Sequence, residues 1–130
     1  MHKKRAPETI PWLIINKTLP NKLCDPQEKI PIQTTFQSRF GPQEWLQPYT
    51  DKTLENLPKE GKKNILVVCP GFSSDCVETL EEIAIQGKNS FFKNGGENFD
   101  IVPCLNDDEE HINLLKHLVD RYNLKKWTFI

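Results

Sequence analysis

The sequence predicts an α/β fold: three layers, with a small, mostly parallel sheet flanked by helices. Two observations carry this. Residues 64–69, NILVVC, form a continuous apolar run, as expected of a strand buried on both faces. Along the chain, strand-like runs also alternate with helix-like ones, three of each. That order argues parallel pairing through helical crossovers.

Each element has a local reason. KIPIQTTFQSRF is β-branched and aromatic, which predicts a strand at about 30–37. Gly41-Pro42 turns the chain. Thr50 or Asp51 can cap a helix over about 51–60, stopped by Gly61. The apolar strand at 64–69 leaves through Pro70-Gly71. A helix over about 75–94 then opens at Asp75, with Glu78 as capping-box partner, and closes at Asn94-Gly95-Gly96. A strand follows at about 99–103. Asn106 and Glu109 make an N-x-x-E capping box for a last helix over about 107–120. The organisation is therefore a leader at 1–28, an α/β domain at 29–120 and a tail at 121–130. Pro7, Pro11, Pro20 and Pro26 interrupt the leader, within which residues 12–15 read as a short strand.

A length of 130 residues suits one domain, and 37% apolar residues with seven Phe and three Trp can build its core. The net charge of -1 provides no field for nucleic acid. TIPWLIIN is too short for a membrane span and is broken by Pro11. The expectation is a cytoplasmic protein, with the basic start MHKKR allowing peripheral membrane contact. Cys24, Cys69, Cys76 and Cys104 form no C-x-x-C pair, which predicts reduced thiols and argues against an iron–sulfur cluster. No intrinsic cofactor is expected. The chain has no paired Cys and His of a zinc site, no phosphate-binding glycine loop and no G-x-S-x-G elbow.

In a parallel sheet, ligands bind beyond the carboxyl ends of the strands, here at residues 37–45, 70–75 and 104–107. The first loop offers Gln37, Ser38 and Trp45, suited to a flat or anionic ligand. GFSSDCVETLEE places Asp75, Glu78 and Glu82 within an arc of roughly 60° on a regular helix. Spacing leaves two readings open. The acids are an ordinary helix start and wet face, or they are oxygen ligands and proton acceptors for a cation. His111 and His117, six apart on the last helix, do not share a face and make poor co-ligands.

As a set, TFQSRFGPQEWLQPYTDKTLENL, NILVVCPGFSSDCVETLEEIA and VPCLNDDEEHI resemble the carboxy-terminal half of bacterial ferrochelatase. The resemblance runs over about 29–119, in the same order with short spacers. It implies a chelatase-like domain, half of a two-domain fold, and insertion of ferrous iron into protoporphyrin IX. It also implies roles by position. Glu78 matches the active-site glutamate linked to metal binding and proton removal, with Glu82 and Asp75 as secondary acids. Gln37, Ser38 and Trp45 match the lining of the porphyrin cleft. The acidic helix of the family carries a widened turn.

The family's essential histidine lies in a Ser-x-His-Gly segment, and this sequence contains none. The chain therefore reads as a fragment, a truncated frame or a domain with a replaced leader, with little or no chelatase activity alone. The alternatives are a non-catalytic remnant that binds porphyrin or divalent metal, and a chelatase for another tetrapyrrole. An amino-terminal half or a homo-oligomer is the implied partner.

Overall fold

The computed structural model describes residues 31–38, 41–44 and 46–122, together with the backbone of 12–16. Its elements are β1 (Trp12–Asn16), β2 (Ile32–Thr35), α1 (Thr50–Asn56), β3 (Asn64–Val68), α2 (Glu78–Gly87), α3 (Lys88–Lys93), β4 (Asn98–Ile101) and α4 (Glu109–Tyr122). The four strands form one open sheet in the order β2-β1-β3-β4. Every pairing is parallel. The expected small parallel sheet flanked by helices is what the chain builds. The short strand read at 12–15 lies between β2 and β3, so the sheet draws on residues on both sides of the 28/29 division.

Register brings the carboxyl ends level. Asn16 faces Thr35, Ile15 faces Val68, and Val67 faces Ile101. The loops after β2, β3 and β4 consequently leave the same edge of the sheet. Strand order reverses at β1, the switch point where open α/β sheets place their ligands.

The core is Leu54 of α1 and Leu57 at its end, Ile65 and Val67 of β3 with Cys69 just beyond, Ile83 of α2, Phe91 of α3 and Phe99 of β4. β3 alternates: Ile65 and Val67 are buried, while Leu66 and Val68 are half-buried. The expectation of full burial on both faces thus holds for one face only. Thr35 and Thr50, both buried, join β2 to α1 through a 2.9 Å hydroxyl–hydroxyl bond.

Three helix starts differ from expectation. Neither Thr50 nor Asp51 caps α1. Tyr49 is its N-cap, Thr50 is committed to Thr35, and Asp51 accepts only the adjacent Lys52 N–H. Asp75 and Glu78 do not form the capping box of the acidic helix. Val77 is its N-cap and has no side-chain capping bond, while just before it the Cys76 N–H donates to Thr79 Oγ1 at 3.0 Å. Asn106 does not cap α4 either. Asp108 does, accepting the Glu110 N–H at 3.0 Å.

Among the described residues no helix is long and apolar enough to cross a membrane. Helix α4 buries His111 but exposes Ile112, Leu114, Leu115, Leu118 and Val119. A contiguous apolar patch of this kind drives association. Sedimentation velocity is expected to show concentration-dependent self-association that Leu115→Glu/Leu118→Glu reduces. A monodisperse monomer at high concentration counts against it.

Candidate functional site

The acidic helix is wound as a π-helix over Glu78–Gly87, ten residues, before α3 continues as an α-helix. In such a winding the backbone bonds run from i to i+5; the Lys88 N–H reaches the Ile83 carbonyl. The regular 100° spacing therefore does not describe these acids. The widened turn implied by the family resemblance extends along this whole stretch.

The loop after β2 holds the helix from one side. Gln37 donates its amide to the Glu78 carbonyl at 2.9 Å and to Glu82 Oε2 at 3.4 Å. Ser38 donates its hydroxyl to the same Glu82 oxygen at 2.9 Å. Two donors of one loop thus converge on a single carboxyl oxygen. Ser38 sits at φ 61, a left-handed conformation that costs a non-glycine residue on the order of 1–3 kcal/mol. Backbone strain of that size persists where surrounding contacts fix it, and here the Glu82 bond is one such contact.

The loops after β3 and β4 hold it from the other side. Asn106 donates its side-chain amide to Asp75 Oδ2 at 2.8 Å, and Thr79 donates its hydroxyl to Asp75 Oδ1 at 2.9 Å. The Asn106 amide first, and the Thr79 hydroxyl after it, hold the Asp75 carboxyl below the ordinary carboxylate range. For Glu78 the Cys76 thiol and then its own backbone N–H do the same. Both acids are therefore anions at neutral pH.

The predicted site residues thus fall into three local groups. Gln37, Ser38 and Glu82 are brought together; Asp75 is paired with Asn106 and Thr79; Glu78 stands with Cys76. Trp45 lies outside the described residues. Among the described residues no three His, Cys, Asp or Glu side chains converge as a metal-holding group. A cleft of about 590 Å³ opens beside the first group, lined by Gln37, Ser38, Tyr49, Leu54, Glu82 and Gln86 among others. Asp75 and Glu78 lie outside its lining.

Three partners escaped the sequence reading: Asn106, Thr79 and Cys76. Only the rule placing sites at the loop over 104–107 pointed toward Asn106. Among the described residues Cys69, Cys76 and Cys104 are not in disulfides. Burial pushes Cys69 up to about 12 and Cys104 up to about 11, so both stay protonated at neutral pH.

The depressed Asp75 pKa makes a testable claim. Its stabilising effect is fully present above the unfolded carboxyl value of about 3.9 and is lost as pH falls through the lower folded value. Urea midpoints at pH 7 and pH 3 should therefore differ less in Asp75→Asn than in the wild type. Equal differences would show that this carboxylate contributes nothing to acid sensitivity.

The sequence model of the ferrochelatase family matches residues 13–123. The ferrochelatase of Rhizobium meliloti (strain 1021) is 58% identical over 111 residues, covering 85% of this chain and 32% of that protein. That of Rhizobium johnstonii is 61% identical over 94 residues, 72% of this chain and 27% of that protein. That of Vibrio cholerae is 57% identical over 94 residues, 72% of this chain and 29% of that protein. The chain spans about a third of the length of these curated relatives. A match running from β1 to the end of α4, through every loop of the site, decides the affiliation: the chain belongs to the ferrochelatase family.

Proposed function

We propose that this chain supplies the acidic wall of a site that inserts ferrous iron into protoporphyrin IX, with Glu78 as the carboxylate that meets the metal. The observation that carries this is Glu78 at the start of a π-wound helix, beside the sheet edge where ligands bind, within the family's ETLEE motif.

Metallation must strip water from the cation and remove two pyrrole protons. A base works best when its pKa lies near the working pH. Glu78 lies below the ordinary carboxylate range, so in the free chain it is a weak proton acceptor. It is nevertheless a good hard oxygen donor for a dication. The metal role is therefore its stronger one. Asp75, also held as an anion, adds negative charge beside it. Glu82, bound to Ser38 and Gln37, braces the loop that matches the porphyrin cleft. Gln37, Ser38 and Trp45 are the proposed porphyrin contacts, and no intrinsic cofactor is required. The reading places the protein in the cytoplasm, with any membrane contact peripheral.

The opposing histidine is assigned to the part of the family length that this chain does not span. His111 does not supply it: the side chain is buried on the same wall as Glu78, packed under the Asn106 carbonyl that lies 2.7 Å from its Nδ1. A second reading follows from that: alone, the chain binds porphyrin or divalent metal without turnover. Zinc insertion into protoporphyrin IX, followed by fluorescence, separates the two. The chain alone should stay at background, and adding the amino-terminal two-thirds of a relative should raise the rate. Full turnover by the chain alone would refute the assignment of the histidine. No rescue, with both parts folded, would leave only the binding reading.

A further inference from the structure

Asn106 uses every polar group it has. Its N–H donates to the Ser73 carbonyl at 3.0 Å, and its side-chain oxygen accepts the Asp75 N–H at 2.8 Å. Its side-chain nitrogen donates to Asp75 Oδ2 at 2.8 Å. Its carbonyl lies 2.7 Å from His111 Nδ1. A carbonyl can only accept, so that ring nitrogen carries the proton. His111 is 7% exposed and spends this buried donor on fixing the Asn106 backbone.

The backbone of Asn106 is left-handed, at φ 48. Glycine adopts that conformation freely and would close the turn after β4 just as well. Asparagine accepts it more readily than most residues. What glycine cannot supply is the side-chain amide, and that amide touches one residue, Asp75. From Asp75 the bonds continue to the Thr79 hydroxyl, and from there to the Cys76 N–H. These residues flank Glu78 on both sides in sequence. A single side chain from the β4–α4 loop thus anchors the first turn of α2.

We propose that Asn106 is a positioning residue: its amide fixes Asp75 and the start of α2, and so sets where Glu78 meets an incoming divalent cation. The proposal rests on the reading of Glu78 as the metal-handling carboxylate. Asn106 need not touch the cation. Outer partners of this kind typically govern metal affinity by roughly 10- to 100-fold.

The test titrates Co²⁺ alone into the 130-residue chain and follows its visible absorption. Asn106→Gly keeps the left-handed turn and deletes only the amide. It should weaken Co²⁺ binding by roughly 10- to 100-fold and shift the absorption band in a chain that stays folded at the temperature of the titration. Asp75→Ala should weaken binding similarly. If Asn106 acts through Asp75, the double variant should lose no more than Asp75→Ala does. A purely structural residue would instead give additive losses that track the unfolding temperature. His111→Asn, which returns an N–H near the position of Nδ1, should bind like the wild type, and His111→Leu should not. Should Asn106→Gly fail to fold, Asn106→Ser enters the same cycle. Binding that depends on Glu78 but is indifferent to Asn106 overturns the positioning role alone. Binding unaffected by Glu78→Gln, or no binding at all, overturns the reading of Glu78 and this role with it.

Discussion

Glu78→Gln should lower zinc insertion into protoporphyrin IX by more than the roughly 10- to 100-fold that loss of an outer partner of a metal ligand costs, because here the carboxylate that meets the metal is itself removed. The assay is the complemented one, with the amino-terminal part of a relative present. The substitution is nearly isosteric and falls on a half-buried side chain, so the fold should survive it. The amide removes the charge that would meet the metal. Glu82→Gln is the informative contrast. The Glu82 carboxylate already accepts bonds from Ser38 and Gln37 at 2.9 and 3.4 Å, so its first loss is loop order. That variant should raise KM for porphyrin more than it lowers kcat. Near-normal turnover in Glu78→Gln would sink the assignment, and a Glu82→Gln defect confined to kcat would exchange the two roles.

The contrast between the two glutamates was not legible in the sequence, and the reason is geometric. On a regular helix they share an edge with Asp75. In the structure Asp75 precedes the π-wound segment, and each acid finds its own donor: a thiol for Glu78, the β2 loop for Glu82, the β4 loop for Asp75. The contacts that hold this segment are tertiary, such as the Gln37 bond to the Glu78 carbonyl 41 positions away in sequence, and local spacing does not report them. Only the family resemblance pointed to a widened turn. What did read correctly was local. The apolar run of β3 announced a strand, and the Asn94-Gly95-Gly96 stop is seen in Gly95 at φ 100. The short strand at 12–15 was readable as a strand, but its place in the middle of the sheet was not, because pairing partners are non-local. Asn106 was misread for a chemical reason. Asparagine suits both an N-cap and a left-handed turn, and Asp108, two residues on, is an equally good cap. His111 reads in the sequence only as a poor co-ligand for His117, and its buried bond to the Asn106 carbonyl is what gives it a distinct task.

Phe91→Ala should cost about 3–5 kcal/mol of stability, the usual range for truncating a fully buried phenylalanine. Phe91 is 0% exposed and packs edge-to-face on Phe99, with ring centroids 5.7 Å apart. Its neighbour Phe92 has the same chemistry and is 39% exposed, so Phe92→Ala should cost far less. Adjacent phenylalanines on one helix make the comparison internal: propensity and composition cancel, and burial remains. A domain of ordinary stability has about 5–15 kcal/mol in total, so the Phe91 variant approaches the unfolding threshold. Urea unfolding should show a much lower midpoint for Phe91→Ala at a slope like the wild type's. The same ring also explains Gly96. A Cβ there would lie 2.1 Å from two of its carbons, so Gly96→Ala must displace either the ring or the turn. Its loss should shrink when Phe91 is already alanine, because the clash partner is gone. Additive losses at the two positions would show that the turn at Gly96 is demanded by the backbone alone. The consequence reaches the site, since α3 continues the helix that begins with Glu78. A core that no longer fixes Phe91 no longer fixes the far end of the acidic helix.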